Sequence, residues 1–262
     1  MKRCLWAKRI LTLSALLLAA SEYGYAQHQA PRFKAVAFDY FVLFDANSVL
    51  PAVENEFPGK GPEFVKAWRS KQFEYGFLRS ITHQHRDFLR VTDDALVYTA
   101  HLMNLELKPE VRQRLLNAYL SLKLWPDAAE GLRRLRAAGV RIITIANFSS
   151  KMLKDNARAA GIEGLFDELL STEVNQTYKP DGSAYALGMS HLGLKKGEIV
   201  FAAFGGWDYY GAKTFGYPTY WVNRFHLPAE ELATTPDGTS DSMEGLLKFV
   251  LGNGVALHAL VE

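Results

Sequence analysis

The strongest constraint on the fold of this chain is a series of short apolar runs that alternate with helical patterns. The runs cover residues 34–38, 141–146 and 199–203. Apolar runs of this length are typical of parallel strands that are buried on both faces of a sheet. Because helical patterns separate the second run from the third, the sequence indicates βαβ units. We therefore predict an α/β fold with a parallel sheet.

Polar side chains follow these runs. Asp39 comes directly after the first run, Asn147 follows the second, and Asp208 lies just beyond the third. Lys179 stands in a further polar segment, Tyr178-Lys179-Pro180. Open α/β sheets bind their ligands at the carboxyl ends of their strands. We therefore expect these four side chains to converge on one site.

An insertion separates the first run from the second. Between residues 45 and 125 the strand patterns disappear and helical spacing takes over, as in Ala95, Tyr98 and Leu102. A chain of 262 residues with 48% hydrophobic residues can bury a large core. We predict one α/β domain whose core covers residues 27–44 and 126–262, with a helical cap over residues 45–125.

Local signals predict two helix starts, one loop and a terminal helix. A capping-box-like pattern at residues 127–130 starts one helix, and Ser149 or Ser150 caps the next. Residues 236–240 combine Pro, Asp, Gly and Ser, which predicts a turn or loop. An amphipathic helix is expected from about residue 243 to 251.

The first 26 residues have the pattern of a secretory signal peptide. Four basic residues precede an apolar stretch from Ile10 to Ala20, and Gly24 and Ala26 then place small residues at the positions that determine cleavage. We therefore predict cleavage after Ala26 and a periplasmic or secreted protein, with an uncleaved anchor as the alternative. Cys4, the single cysteine, would leave with the leader, so no disulfide is expected in the mature chain.

The charge of the chain gives no indication of a polyanionic partner. The whole chain carries a formal charge of +2, and loss of the leader, with its four basic residues and one acidic residue, changes this to about −1. A balance of this kind favours neither nucleic acid nor an anionic membrane surface as a partner. We expect a small molecule instead.

Five segments resemble the type II (S)-2-haloacid dehalogenases of the haloacid dehalogenase superfamily, and the similarity extends from about residue 33 to about residue 232. The resemblance implies a Rossmann-like core with a helical cap, a short 2-haloacid as substrate, no metal or cofactor, and a possible homodimer. The segments that carry it are residues 38–41, 68–75, 146–149, 178–181 and 206–208.

The same resemblance implies three catalytic roles. Asp39 is expected to be the nucleophile that forms an aspartyl ester. Lys179 would keep Asp39 ionised, since a nearby positive charge favours the carboxylate, and Asp208 would hold Lys179 and orient the hydrolytic water. The alternatives are a helix-capping role for Asp39, a solvated surface position for Lys179 and an N-cap before residues 209–215 for Asp208.

Further residues are expected to bind the substrate or the halide. Arg69 has the planar guanidinium that suits a small carboxylate or a departing halide, although a surface position is its alternative. A core position is equally open for Tyr185. The substrate-binding and halide-binding residues that the resemblance implies are Arg69, Asn147, Tyr185, Trp207, Tyr40 and Phe73.

The chain departs from the family pattern around the expected nucleophile. The loop after Asp39 is one residue shorter than is usual, and Val42 stands where the family has Thr. Ala146, Ala203 and Gly205 likewise replace two Ser and one Asn. Because Phe41, Phe148 and Phe204 enter together, we predict an aromatic and apolar pocket wall.

Two other functions compete with dehalogenation. Phosphatases of the superfamily need a second Asp two residues after the nucleophile, together with Mg²⁺, but Phe41 occupies that position. A non-catalytic, secreted binding protein with the same fold is the other alternative, because several polar groups are missing. His83 and His85 lack the spacing of a metal site. The interpretation that the residues favour is hydrolytic dehalogenation without a metal.

Overall fold

The computed structural model describes residues 31–252. The predicted signal peptide at residues 1–26 lies outside the described residues. In the described part of the chain, no helix is long and apolar enough to cross a membrane.

The central element is a six-stranded parallel sheet with the order β5-β4-β1-β6-β7-β8. A separate antiparallel pair is formed by β2 and β3. The predicted α/β fold with a parallel sheet is confirmed. The strands are β1 (Ala35–Phe38), β2 (Phe44–Asp45), β3 (Lys123–Leu124), β4 (Arg141–Ala146), β5 (Glu168–Ser171), β6 (Ile199–Ala203), β7 (Thr219–Val222) and β8 (Gly238–Ser240).

Ten α-helices are present within residues 31–252, and four short 3₁₀ segments connect several of the elements. The helices are α1 (Tyr40–Leu43), α2 (Leu50–Glu56), α3 (Gly61–Ile81), α4 (Phe88–Leu102), α5 (Pro109–Ala118), α6 (Ala128–Ala137), α7 (Ser150–Ala159), α8 (Gly182–Leu192), α9 (Gly206–Phe215) and α10 (Met243–Leu251). The 3₁₀ segments are Ala46–Val49, Glu163–Leu165, Thr172–Asn175 and Lys196–Glu198.

Helices cover both faces of the sheet. Alternate residues of β1 point to opposite sides: Val36 and Phe38 join one apolar cluster with α6, α7 and α10, whereas Ala35 and Ala37 join another with α8 and α9. Since β1 pairs with β4 on one side and with β6 on the other, it is buried in every direction. This explains why the apolar run at residues 34–38 shows no alternation.

Helices α2–α5 form the insertion between β2 and β3. The chain leaves the core and returns to it where Phe44 pairs with Leu124 and Asp45 pairs with Lys123. Inside the insertion, Trp68 is fully buried and its indole N–H donates to the backbone oxygen of Thr92 at 2.8 Å, which ties α3 to α4. The boundaries of the cap at residues 45 and 125 remain a prediction.

Two local expectations were wrong. The predicted loop at residues 236–240 contains β8, which pairs with β7 at the edge of the sheet. Asp127 precedes α6 but does not cap it with its side chain. Its Oδ2 accepts hydrogen bonds from Arg224 and from the Met243 N–H instead. Ser149 does cap α7, and its Oγ accepts from the Met152 N–H.

Candidate active site

Asp39 sits at the carboxyl end of β1, the central strand. Its backbone N–H donates to the Ala202 oxygen of β6 at 2.9 Å, so the sheet holds its backbone. Oδ1 accepts from the Phe41 N–H at 2.9 Å and caps the short helix α1. Oδ2 accepts from Lys179 at 2.6 Å. The carboxylate of Asp39 therefore caps α1 with one oxygen and forms an ion pair with Lys179 through the other.

Lys179 lies between two carboxylates and is 0% exposed. Its Nζ is 2.6 Å from Asp39 Oδ2 and 2.6 Å from Asp208 Oδ2. The alternative of a solvated surface lysine is wrong. The expected contact between Lys179 and both carboxylates is present, because the segment after β5 brings Lys179 to the ends of β1 and β6.

Asp208 is also 0% exposed and is the third residue of α9, which Gly205 precedes as N-cap. The N-cap alternative for Asp208 is therefore wrong. Its Oδ1 accepts a hydrogen bond from the Tyr185 hydroxyl at 2.7 Å. Tyr185 is a buried core residue and at the same time a partner of the Asp–Lys–Asp group.

The protonation of this buried group follows from two opposing effects. Burial alone would lower the pKa of Lys179, but Asp208 and Asp39 outweigh it and hold that pKa above its ordinary value. Burial, assisted by the charge of Asp39, raises the pKa of Asp208 to about 7 despite the attraction of Lys179. Burial next to Asp208 also keeps the pKa of Tyr185 well above its ordinary value. Lys179 is therefore charged, and Tyr185 is a neutral donor.

Asn147 holds the backbone of Lys179. The Lys179 N–H donates to Asn147 Oδ1 at 2.7 Å, and Asn147 Nδ2 donates to the Lys179 oxygen at 3.4 Å. This amide fixes the point from which the lysine side chain enters the site. Its expected role in binding halide stays a prediction.

Arg69 reaches the site from α3 and is partly exposed. Its guanidinium carbon lies 5.1 Å from the ring centre of Phe41 and 5.9 Å from that of Phe204, in the range of cation–π contacts. Its buried Nε has no hydrogen-bond partner in residues 31–252. An unpartnered buried donor costs about 1–3 kcal/mol, and an anionic ligand would satisfy it.

The expected aromatic wall is present. Phe41 contacts Phe148 edge-on at 5.2 Å between ring centres and Phe204 at 5.8 Å. These rings form an apolar surface next to Asp39, and the Arg69 guanidinium lies over two of them, Phe41 and Phe204. The wall of the expected pocket beside Asp39 is therefore aromatic and apolar.

Aromatic contacts also join α3 to the core. Trp207, the second residue of α9, packs edge-on against Phe73 at 5.4 Å and against Phe77 at 5.5 Å between ring centres. Lys179 Nζ lies 5.8 Å from the Trp207 ring centre. Phe73 and Arg69 also line a cleft of about 370 Å³ on the cap side. Trp207 and Phe73 thus hold α3 against the start of α9, and their expected roles in binding substrate or halide stay predictions.

The comparisons with known proteins agree with this geometry. The family model of haloacid dehalogenase-like hydrolases matches residues 33–216. The haloacetate dehalogenase H-2 of Moraxella sp. (strain B) is 37% identical over 220 residues, which cover 84% of this chain and 98% of that protein. The (S)-2-haloacid dehalogenase of Pseudomonas sp. (strain YL) is 37% identical over 216 residues, covering 82% of this chain and 93% of that protein.

This chain belongs to the haloacid dehalogenase-like hydrolases. Its similarity places it with the (S)-2-haloacid dehalogenases of that family. The crystal structure of L-2-haloacid dehalogenase from Xanthobacter autotrophicus with chloropropionic acid covalently bound has a TM-score of 0.79 and 31% identity to this chain. The matched region covers 84% of this chain and 99% of that one.

The structure of this hydrolase argues against one expected substrate contact. The Tyr40 hydroxyl donates to the Leu153 oxygen of α7 at 2.8 Å, and its ring stacks on Phe44 at 4.5 Å between ring centres. The Tyr40 side chain therefore extends into the core and not toward Arg69. The motif at residues 38–41 contains Asp39, but in the tertiary structure the Tyr40 side chain packs in the core.

The two cap histidines, His83 and His85, lie between α3 and α4. Residues 31–252 contain no group of three or more His, Cys, Asp or Glu side chains placed to hold an ion. The His85 ring packs instead near Tyr178, at 5.1 Å between ring centres. Burial lowers the pKa of His85 below its ordinary value, which fits this packed position.

Two residues near Asp39 were not predicted from the sequence. Arg224, in the loop after β7, donates to the Val42 oxygen of α1 at 3.0 Å. Trp125, just after β3, donates through its indole N–H to the Phe41 oxygen at 3.1 Å. No local pattern marks either residue, because each contact is made to a backbone oxygen of a distant segment.

Asp208 gives the stability of the hydrolase a testable dependence on pH. Its pKa is raised from 3.8 to about 7, so between these values the folded protein keeps a proton that the unfolded chain has lost. The resulting stability is present below the ordinary pKa and is lost as the pH rises through about 7. We expect the free energy of unfolding in urea to fall across this window, and to fall less in Asp208→Asn, which cannot titrate there.

Other carboxylates also titrate in this range, so the difference between the two proteins is the informative quantity. Parallel stability curves for the wild type and Asp208→Asn between about pH 4 and pH 7 would contradict the raised pKa.

Proposed function

We propose that this protein hydrolyses a short (S)-2-haloalkanoic acid to the 2-hydroxy acid and a halide ion. The observation that carries the proposal is the strand-end carboxylate of Asp39, bound at 2.6 Å to the fully buried Lys179. A carboxylate that is ionised and largely shielded from water is a strong nucleophile toward carbon. The covalent complex in the Xanthobacter autotrophicus relative supports the same chemistry.

In the first step, a carboxylate oxygen of Asp39 attacks C2 of the substrate opposite the halogen. The new C–O bond forms as the carbon–halogen bond breaks, the halide leaves with the bonding electrons, and the configuration at C2 inverts. Arg69, with its unpartnered Nε, holds the substrate carboxylate. Lys179 stays protonated and stabilises Asp39 in its reactive, ionised form.

In the second step, water attacks the carbonyl carbon of the Asp39 ester. The ester C–O bond on the enzyme side breaks, and the departing alkoxide takes up the proton that the water has released. The 2-hydroxy acid leaves, and the oxygen of the water remains in the Asp39 carboxylate. Within residues 31–252, Asp208 Oδ2 accepts one side-chain hydrogen bond, from Lys179, and Oδ1 accepts one, from Tyr185. Each of these oxygens can accept a second hydrogen bond. Asp208 can therefore orient the water and accept its proton.

The aromatic wall supports a small substrate. Phe41 and Phe148 are buried, and the contacts of Phe41 with Phe148 and with Phe204 fill space beside Asp39. A bulky substituent at C2 would have to displace these rings, at a cost of about 1–3 kcal/mol for overpacking. Haloacetates and 2-halopropanoates should therefore be better substrates than longer 2-haloalkanoates.

The direct test is halide release by the purified mature protein from haloacetate, (S)- and (R)-2-chloropropanoate and longer (S)-2-haloalkanoates. We expect release from the short (S) substrates, with the same rate in the presence of a chelator. Inorganic phosphate should not be released from phosphate monoesters, since Phe41 cannot transfer a proton as the second Asp of a phosphatase does. Substrate binding without halide release would instead indicate a binding protein.

Export is a separate part of the proposal. The basic residues, apolar stretch and small residues that precede Gln27 support cleavage after Ala26 and a periplasmic or secreted location. The intact mass of the exported protein should correspond to a chain that starts at or near Gln27. A mass that retains Met1 or Lys2 would favour a membrane anchor.

A homodimer is the third part of the proposal. Four large apolar side chains on α3 and α4 are exposed, and burial in a dimer would remove them from water. The molar mass from light scattering should be twice that of the chain, and the monomer mass at all concentrations would contradict a dimer. The exposed side chains are Leu78, Ile81, Tyr98 and Leu102.

A further inference from the structure

The orientation of Asp39 depends on α1, the four-residue helix that it caps. Oδ1 of Asp39 accepts from the Phe41 N–H, so a displacement of α1 would turn the carboxylate. A helix this short has no stability of its own. Its last backbone oxygens also lack helical partners and require donors from elsewhere.

Two distant residues supply those donors. The indole N–H of Trp125 donates to the Phe41 oxygen at 3.1 Å, and its backbone N–H donates to the Leu43 oxygen at 2.9 Å. Nη2 of Arg224 donates to the Val42 oxygen between them at 3.0 Å. Three consecutive carbonyls of α1 are therefore held by side-chain or backbone donors from outside the helix.

Arg224 is itself held firmly. Its side chain is 6% exposed, and its Nη1 donates to Asp127 Oδ2 at 2.8 Å. Its guanidinium carbon lies 5.1 Å from the Trp125 ring centre. Asp127 also accepts from the Met243 N–H at the start of α10, which explains why it does not cap α6. A positive charge at the carboxyl end of α1 is also favourable for the helix dipole.

We propose that Arg224, together with Trp125, is a positioning residue for the nucleophile. The guanidinium touches neither the Asp39 carboxylate nor, in the proposed reaction, the substrate. It acts through α1, whose backbone it fixes so that Asp39 keeps its hydrogen bond to Phe41 and its ion pair with Lys179. This inference rests on the proposed function in one respect only: the catalytic effect of losing that orientation.

The main test compares Arg224→Met with Arg134→Met. Arg134 is a matched control, because it is also largely buried, with an 18% exposed side chain, and pairs with Glu244 at 2.8 Å without touching α1. We expect kcat for halide release to fall about 10- to 100-fold in Arg224→Met with KM nearly unchanged, the size of effect that a misplacement of about 1 Å produces. In Arg134→Met the melting temperature should fall but kcat should not.

Two further variants separate positioning from packing. Trp125→Phe keeps the aromatic ring beside Phe225 and removes only the donor to Phe41, so a smaller loss of kcat is expected. Arg224→Ala should regain part of its activity when guanidinium is added at a millimolar concentration, because the free cation can occupy the vacated position. The inference would be overturned if kcat fell in proportion to the loss of stability, and by the same factor in Arg224→Met and Arg134→Met.

Hydrogen exchange gives a test that does not need activity. The amides of residues 39–44 should exchange at least about tenfold faster in Arg224→Met than in the wild type, while Arg134→Met leaves them protected. If the wild type released no halide, the proposed function would fail, yet the exchange data would still decide whether Arg224 holds α1. Equal protection of this segment in both variants would refute the inference.

Discussion

Asp39→Asn should abolish multiple-turnover halide release, with a loss of more than about 10³-fold, because the amide is not a nucleophile and essential nucleophiles account for losses of this size or greater. The fold should survive, since Asn is as good an N-cap as Asp and can still accept from the Phe41 N–H. The measurements are halide release and urea unfolding of the same preparation.

Asp87→Asn is the matched control for this variant. Asp87 caps α4 with a carboxylate that accepts from the Leu89 and Arg90 N–H groups, far along the chain from the proposed nucleophile. Asp87→Asn makes the same chemical change at an exposed helix cap, so we expect this variant to keep its activity. Equal activity of Asp39→Asn and Asp87→Asn would exclude Asp39 as the nucleophile.

The origin of the product oxygen distinguishes the covalent route from direct attack by water. In a single turnover in ¹⁸O water, the product hydroxyl should carry the unlabelled oxygen of Asp39, because water attacks the ester and not the substrate carbon. The label should appear in the enzyme after that first cycle, as detected by mass spectrometry of the peptide that contains Asp39. Full labelling of the first-cycle product would rule out the ester.

Lys179→Met should have the largest effect on stability. Methionine replaces the aliphatic part of the lysine but leaves Asp39 and Asp208 together in a buried site without a positive charge. Removal of one member of a buried ionic group typically costs about 3–5 kcal/mol. Without Lys179 the pKa of Asp208 should rise further above its value of about 7, because the lysine lowers it. Urea unfolding should therefore show the full loss only at high pH and a smaller loss at lower pH, where a proton on Asp208 replaces the missing charge.

Two companion variants test the cause of that loss. Lys151→Met removes an exposed lysine that pairs with Asp155 four residues later in α7, and such a pair contributes at most about 1 kcal/mol. The double variant Lys179→Met/Asp208→Asn should regain part of the stability but no halide release, because it removes one of the two unpaired charges without restoring the lysine. A Lys179→Met loss no greater than that of Lys151→Met would contradict the electrostatic account.

The central strands and the convergence at their ends could be predicted because burial on both faces leaves a direct trace in sequence. The apolar runs at residues 141–146 and 199–203 became β4 and β6 with those bounds. Their pairing with β1 on either side brings the residues that follow the strands to one edge of the sheet. Lys179 and Asp208 could therefore be proposed as neighbours of Asp39.

The edge strand β8 and the hydrogen-bond partners of Asp127 could not be predicted in the same way. The residues of β8 are exposed or half-buried, so the Pro-Asp-Gly sequence at residues 236–238, which runs into the strand, gives a stronger local signal for a turn than β8 gives for a strand. Asp127 has the local pattern of a helix cap, yet Arg224 and the Met243 N–H compete successfully for its carboxylate. Both cases depend on neighbours that a local pattern does not contain.

The sequence by itself determined the three central strands of the sheet, the residues at its carboxyl edge and the aromatic character of the wall, because strand burial and side-chain chemistry are properties of single segments. The tertiary structure alone decided that Tyr40 packs into the core and that Asn147 holds a backbone. It also decided that Arg224 reaches Val42 across 182 residues of chain. A hydrogen bond to a backbone oxygen requires no particular residue at the acceptor, and so such contacts leave no pattern in the sequence.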